Sequence, residues 1–188
     1  MNPLVIVAII AVVVLLIVVC WFISTNNKLV KLDVKVDESF SGIDVALTKR
    51  FDLLNKMFKV ANSYMKFEKE TLKEIVKMRN PNSCSTVEEY NECSEKMEKF
   101  QKQLNIVMEN YPDLKSNTTM IQLQDACREV EENLSAARRL YNSNVTSFNQ
   151  AILTFPNSIV AGMKHFEKKT HFKAEESKRA DVDFNFDF

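Results

Sequence analysis

The sequence predicts an all-α protein in which an N-terminal transmembrane helix is followed by an antiparallel bundle of four helices. Residues 4–23 form an uncharged run of twenty residues. The 188 residues include only two glycines and four prolines, and this scarcity of helix breakers predicts long helices with few turns. Apolar residues recur at helical spacing through the rest of the chain. Four such amphipathic helices can bury their apolar faces only against one another.

Residues 4–23 have the length and composition of a membrane-spanning helix. At about 1.5 Å per residue the run covers roughly 30 Å, the thickness of a bilayer's hydrocarbon core. Trp21 and Phe22 lie at its far end, where an aromatic belt is expected. A cleaved signal peptide is the alternative, but Val18-Val19-Cys20 is a poor cleavage site and no basic segment precedes the run. We therefore expect an uncleaved single-pass anchor in the cell membrane.

Positive charges beside the apolar run predict its orientation. Lys28, Lys31 and Lys35 follow the run, so the positive-inside rule places the C-terminal body in the cytoplasm. The run contains no glycine and hence no GxxxG motif, so any homo-oligomer would depend on contacts of the body. Lysine plus arginine and aspartate plus glutamate both number 25, so we expect no nucleic-acid partner.

The first helix of the body has the most regular pattern in the chain. Its apolar residues follow an eleven-residue period, which keeps them on one face of a helix. This face comprises Leu29, Leu32, Val36, Phe40, Ile43, Leu47, Phe51, Leu54 and Phe58. Charged residues such as Asp33, Asp37 and Arg50 are expected off this face. Because no proline occurs between residues 4 and 80, the anchor and this helix should be continuous up to Ser63, the predicted N-cap of the next helix.

Two more amphipathic patterns precede the last long helix. Residues 64–78 form the predicted second helix, and Pro81 lies in the loop that follows it. Ser85 or Thr86 should cap the third helix. Pro112 should end the third helix.

The fourth helix carries a seven-residue apolar repeat and should begin at an Asn117 cap and end at Pro156. The repeat consists of Met120, Cys127, Leu134, Tyr141, Phe148 and Phe155. Asn144 falls within this face, and two interpretations are open. Its amide could fix the register between helices, as a buried asparagine does in coiled coils, or the face could rotate so that Asn144 meets water.

We divide the chain into an anchor (residues 1–26), a helical bundle domain (residues 27–164) and a flexible or loosely docked C-terminal tail (residues 165–188). The tail ends in alternating phenylalanines and polar residues, a strand-like pattern with no second strand to pair with. A frayed terminus is the favoured interpretation. The alternative is an extended peptide whose phenylalanines dock in a groove.

The sequence offers no residue for catalysis, cofactor binding or metal ligation. His165 and His171 lie beyond the last long helix and lack the Glu-x-x-His spacing of metal-binding bundles. Carboxylates such as Glu131 are interpreted as solvated. Cys20 lies in the anchor, so the body has an odd number of cysteines (Cys84, Cys93 and Cys127), which favours reduced thiols over a disulfide framework. We predict no cofactor and no enzymatic activity.

Several segments of the chain resemble the LemA family of bacterial membrane-anchored helical proteins. They include Lys49-Arg-Phe-Asp-Leu-Leu, Glu109-Asn-Tyr-Pro-Asp-Leu-Lys-Ser-Asn, Ala137-Arg-Arg-Leu-Tyr-Asn, Thr154-Phe-Pro and Val182-Asp-Phe. The resemblance implies a cytoplasmic up-and-down four-helix bundle after the anchor, and a bacterial source. It implies no reaction, because members are described as membrane proteins of undefined function. One departure is Asn55, where the family usually has proline.

These observations favour a non-enzymatic scaffold or adaptor. Its partners would be the lipid bilayer, through residues 4–23, and an unknown protein. The alternative is a membrane-linked signal-relay module that acts as a dimer. A third possibility, contact of the bundle surface with lipid headgroups, is disfavoured by the balanced charge.

Overall fold

The computed structural model describes residues 3–64 and 86–172, which are helical with short connections and contain no strand. The helices are α1 (Pro3–Tyr64), α2 (Val87–Asn110), α3 (Pro112–Lys115), α4 (Thr118–Leu153) and α5 (Asn157–Met163). The predicted all-α class is confirmed. The rest of the predicted second helix, the loop at Pro81 and the phenylalanine-rich end of the tail lie outside the described residues.

Helix α1 is uninterrupted over 62 residues, which confirms that the apolar run and the first body helix are continuous. In the described part of the chain it is the helix long and apolar enough to cross a membrane. Ser63 lies inside this helix, where its Oγ donates a hydrogen bond to the backbone oxygen of Val60 at 2.6 Å. The prediction that Ser63 caps a new helix is therefore wrong.

The chain forms two compact units, and the first comprises Met1–Phe40 and Leu140–Thr170. Within it, Asn144 Nδ2 donates to the backbone oxygen of Lys35 at 3.2 Å, and the rings of Phe40 and Tyr141 are 5.7 Å apart. Residue numbers rise along α1 as they fall along α4, so the two helices are antiparallel here. Val145 is buried and Asn144 is only partly covered, which agrees with the rotated face, although the Asn144 amide also joins α4 to α1. Buried side chains of this unit are Thr25, Leu29, Val36, Ser39, Tyr141, Val145, Phe148, Ile152, Val160 and Ala161.

Helix α5 ends in a left-handed turn at His165, whose φ is 55°. The amide of Phe166 donates to the backbone oxygen of Ala161 at 3.1 Å, and the amide of His165 donates to that of Gly162 at 3.3 Å. These are the two bonds of a Schellman motif. The motif ends the helix and leads into the non-helical residues that follow.

The second unit comprises Ser41–Arg139 and His171–Phe188. Tyr90 bonds to Asp44, and the rings of Phe100 and Phe58 are 6.0 Å apart, so α2 runs parallel to α1. The sulfur of Cys127 lies 3.5 Å from that of Met57. Asn117 bonds to Tyr64, so α4 runs antiparallel to α1. The first, third and fourth helices of an up-and-down four-helix bundle have these directions.

Apolar side chains from each long helix of the second unit form its core. They are Ile43, Leu47, Phe51, Leu53, Leu54, Met57, Phe58, Ala61, Tyr90, Met97, Phe100, Leu104, Met108, Leu114, Met120, Cys127, Val130, Leu134 and Phe172. The predicted faces of the first and fourth helices supply Ile43, Leu47, Phe51, Leu54, Phe58, Met120, Cys127 and Leu134 of this set.

Two predicted helix caps are confirmed. Thr86 Oγ1 accepts a hydrogen bond from the Glu89 amide at 3.3 Å, and Glu89 accepts one from the Thr86 amide at 3.0 Å, which completes a capping box. Asn117 Oδ1 accepts a hydrogen bond from the Met120 amide at 3.1 Å and so caps α4.

Candidate functional site

Among the described residues of the second unit, the most buried charged group is the guanidinium of Arg50. Its Nη2 donates to Glu131 Oε1 at 3.0 Å and to Gln101 Oε1 at 3.1 Å, and its Nη1 lies 3.4 Å from Ser94 Oγ. The side chain of Arg50 is 5% exposed and that of Glu131 is 40% exposed. Arg50 is buried although it lies off the predicted apolar face, and Glu131, interpreted as solvated, is partly exposed and also paired with Arg50. A buried arginine keeps its charge and therefore requires such partners.

The thiol of Cys127 lies inside the same unit. Burial, followed by the negative charge of Glu131, raises its pKa, the positive charge of Arg50 opposes the shift, and the resulting pKa is about 11. The nucleophilic form of cysteine is the thiolate, so Cys127 is inert at neutral pH. This agrees with the position of Cys127 in the predicted apolar repeat of the fourth helix.

Tyr90 and Asp44 form a second polar pair in this unit. The hydroxyl of Tyr90 donates to Asp44 Oδ1 at 2.6 Å. Burial and this bond raise the pKa of Tyr90 well above its ordinary value, so the neutral phenol is the stable form. The pair links the start of α2 to α1.

In the first unit, α4 holds the backbone of the residues that follow α5. The side chain of Asn149 donates to the backbone oxygen of Lys169 at 2.9 Å and accepts from the Lys169 amide at 2.9 Å. The hydroxyl of Tyr141 donates to the backbone oxygen of Thr170 at 3.1 Å. The rings of Phe148 and Phe166 meet edge to face at 5.9 Å. Side chains of α4 thus hold the extended backbone around Lys169 and Thr170, in place of the hydrogen bonds that a neighbouring strand would provide.

Lys169 adds charge pairing to this attachment. Its Nζ lies 2.6 Å from Asp33 Oδ1 and 2.8 Å from Asp37 Oδ1, both on α1. Burial lowers the pKa of Lys169, but the hydrogen bonds and charges of the two aspartates outweigh burial and leave the pKa raised. The ammonium also lies 5.8 Å from the ring centre of Phe148. Two carboxylates and one aromatic ring thus hold the Lys169 ammonium, which lies in the segment after α5.

The predicted state of the cysteines requires one correction. Cys20 and Cys127 are free. Cys93 is disulfide-bonded, and its partner lies outside the described residues. The expectation of reduced thiols is therefore wrong for Cys93, because an odd number of cysteines does not prevent two of them from pairing.

The structure does not bring the two histidines into a metal-binding group. His165 forms the left-handed turn after α5, and His171 is exposed in the following segment. In residues 3–64 and 86–172, no group of three or more histidine, cysteine, aspartate or glutamate side chains could hold a metal ion.

These findings define the class of the protein as an all-helical bundle with an N-terminal apolar helix long enough to cross a membrane. Known proteins support a narrower assignment. The LemA family model matches residues 39–186. Protein LemA of Metamycoplasma hominis is 30% identical over 164 residues, which cover 86% of this chain and 75% of that protein. The chain belongs to the LemA family.

Proposed function

We propose that this protein is a non-enzymatic scaffold or adaptor that α1 anchors in the cell membrane and that presents its helical body to a protein partner. The LemA family is uncharacterised and is not known as a family of enzymes. The observation that carries the proposal is the continuity of α1. Its first part is apolar and exposed, and its later part supplies buried residues to the folded body.

The polar contacts of the body support a binding role over a catalytic one. Arg50, Tyr90 and Lys169 each point to side chains of the protein itself and join one helix or segment to another. Such contacts hold a shape, and a rigid shape presented at a membrane surface is what a scaffold supplies.

We place the body in the cytoplasm because Lys28, Lys31 and Lys35 directly follow the apolar run. The disulfide at Cys93 is evidence for the opposite side, since disulfides persist mainly in oxidising compartments. A membrane-impermeant thiol reagent decides between the two sides of the membrane. It is applied to intact cells that express the Ser147→Cys variant, because Ser147 is an exposed site on α4. Labelling only after the cells are opened supports the cytoplasmic side, and labelling of intact cells contradicts it.

Proximity labelling tests the scaffold role. The labelling enzyme is fused to the C-terminus of the full chain, and a matched control carries residues 1–26 fused to an unrelated helical body of similar size. The proposal predicts specific proteins that are enriched with the native body over the control. Identical neighbours for both chains would show that the anchor alone determines them, which would contradict the proposal.

One observation favours the alternative, a dimeric signal relay. Val30 and Val34 lie one turn apart on α1, just after the apolar run, and both are exposed. Paired helices bury such residues between them. In membranes, Val30→Cys and Val34→Cys should then crosslink two copies in a chain lacking Cys20, whereas Lys28→Cys, on another side of α1, should not. Equal crosslinking at all three sites, or none, would contradict the relay.

A further inference from the structure

Large apolar side chains are exposed at the corner between α4 and α5. Phe155 is 77% exposed, Ile159 is 50% exposed and Met163 is 64% exposed. Ile159 and Met163 are one turn apart on α5, and Phe155 lies just before this helix. The seven-residue repeat of the fourth helix predicts that Phe155 is buried with the other members of the repeat. That expectation is wrong because α4 ends at Leu153, and the chain turns away before the next position of the repeat.

This corner lies level with the end of the apolar run of α1. Both belong to the first unit, where Asn144 of α4 bonds to Lys35 of α1. Nine residues further along α4 is Leu153, and nine residues earlier in the antiparallel α1 is Asn26. Asn26 lies only three residues, or about 5 Å along the helix axis, beyond the end of the run at residue 23.

The burial pattern along α1 agrees with this register. Every described residue from Pro3 to Cys20 is exposed, and Trp21 and Phe22 are the first that the protein partly covers. Thr25 and Leu29 are buried. The folded body therefore begins at the depth where the apolar run ends.

Helix α5 has a protein-facing side and an outward apolar side. Val160 and Ala161 are buried, whereas Ile159 and Met163 are exposed. Three charged residues that follow this helix in the chain are exposed, namely Lys164, Glu167 and Lys168, so lysines outnumber acids there. Apolar residues bordered by lysines are typical of helices that lie in a membrane interface.

We infer that the α4–α5 corner inserts Phe155, Ile159 and Met163 into the interface of the bilayer that α1 crosses, with Lys164 and Lys168 at the phosphate groups of the lipids. The inference rests on the proposed membrane anchorage of α1. Balanced net charge does not oppose it, because the contact is local and mainly apolar. The corner and the apolar run would then hold the body at two points and restrict its tilt relative to the membrane.

Tryptophan fluorescence tests this insertion, because Trp21 is the only tryptophan in the chain. The full chain is reconstituted in vesicles of phosphatidylcholine and phosphatidylglycerol whose acyl chains are brominated near the glycerol. In a Trp21→Phe background, Phe155→Trp and Ile159→Trp report on the corner. Leu140→Trp is the matched control, because Leu140 is also an exposed apolar residue, 57% exposed, on α4. It lies thirteen residues before Leu153, about 20 Å along the helix.

The inference predicts that bromine quenches roughly half of the emission from positions 155 and 159, since interfacial residues lie about 5–10 Å deep, and quenches position 140 little. Quenching of native Trp21 without quenching at 155 or 159 would overturn the inference and leave the anchor intact. Unquenched Trp21 would overturn the anchor and the inference together. Equal quenching at position 140 would overturn a specific role for the corner. Circular dichroism confirms folding, and the two corner sites provide independent readings.

Discussion

Arg50 Nη2 donates a hydrogen bond to Glu131 Oε1 at 3.0 Å, although the two residues are 81 positions apart in the sequence. The pair is asymmetric because the side chain of Arg50 is 5% exposed and that of Glu131 is 40% exposed. Water can reach the carboxylate if the pair is broken, but it cannot reach the guanidinium. The cost of losing one partner therefore depends on which partner stays behind.

Removal of the carboxylate should destabilise the body more than removal of the guanidinium. Glu131→Ala leaves a buried charge with only neutral partners, and we expect a loss of about 2 kcal/mol in the free energy of unfolding. Arg50→Met keeps an apolar stem and leaves a carboxylate that water can solvate, so a loss of about 1 kcal/mol is expected. Denaturant unfolding of the full chain in detergent measures both values. A larger loss for Arg50→Met would contradict this account.

Asn149 should determine how firmly the C-terminal segment is held. Asn149→Ala removes one bond to the Lys169 amide and one to its backbone oxygen. With about 1 kcal/mol lost per bond, the Lys169 amide should exchange its hydrogen roughly fivefold faster or more. Ser147→Ala is the control, because its Oγ bonds to the Ser143 backbone oxygen within α4. Mass spectrometry measures the hydrogen exchange of the segment that contains Lys169. Equal exchange rates in the Asn149→Ala and Ser147→Ala variants would contradict this attachment.

Tyr90 should make the protein sensitive to alkali. The pKa of Tyr90 is higher in the folded protein than in the unfolded chain, where it is about 10. The contribution of Tyr90 to stability is therefore complete below pH about 10 and is lost as the pH rises through the pKa of the folded state. Tyr90→Phe should cost about 1 kcal/mol at neutral pH through the lost bond to Asp44, and should then lose less stability than the parent above pH about 10. Melting temperatures measured across this range, with exposed Tyr111→Phe as control, give the comparison. Parallel curves for Tyr90→Phe and the parent would disprove the role of Tyr90.

Cys127 should resist thiol reagents while the protein is folded. Burial raises its pKa to about 11, so almost none of it is thiolate near neutral pH. Iodoacetamide labelling followed by peptide mass spectrometry should find Cys127 unmodified in the folded chain and modified after unfolding in urea. Raising the pH to about 9, where an ordinary thiol of pKa about 8.5 is largely ionised, should not change this. Rapid labelling of the folded chain would show that the thiol is accessible.

Helix periodicity and end signals predicted much of the fold. Thr86 and Asn117 cap their helices where the sequence indicated, and the apolar repeats of α1 and α4 are mostly buried. These features follow from local chemistry, such as the side-chain oxygen of Asn117, which accepts a hydrogen bond from a backbone amide in the first turn of α4. Phe155 shows where periodicity misleads. The apolar repeat continues to Phe155 in the sequence, but α4 ends at Leu153, so Phe155 no longer lies on the buried face of a helix.

The polar contacts could not be derived from the sequence for a physical reason. Arg50 lies beside the predicted apolar face, and its burial depends on how widely α2 and α4 cover α1 in the second unit. Asn149 and Lys169 meet through backbone atoms of an extended segment, which has no periodic signal. The segments that resemble the LemA family include Arg50 and Tyr141, but resemblance alone did not assign either residue a structural role.

Membrane fractionation with intact-mass analysis tests the central claim most directly, that one helix both anchors the chain and forms part of its body. Membranes from cells expressing the full chain are washed with alkaline carbonate, and the retained and released proteins are weighed by mass spectrometry. We expect the chain in the washed membranes with its apolar run intact, at about the full mass of 21.7 kDa. A soluble chain that lacks its first residues would contradict the claim.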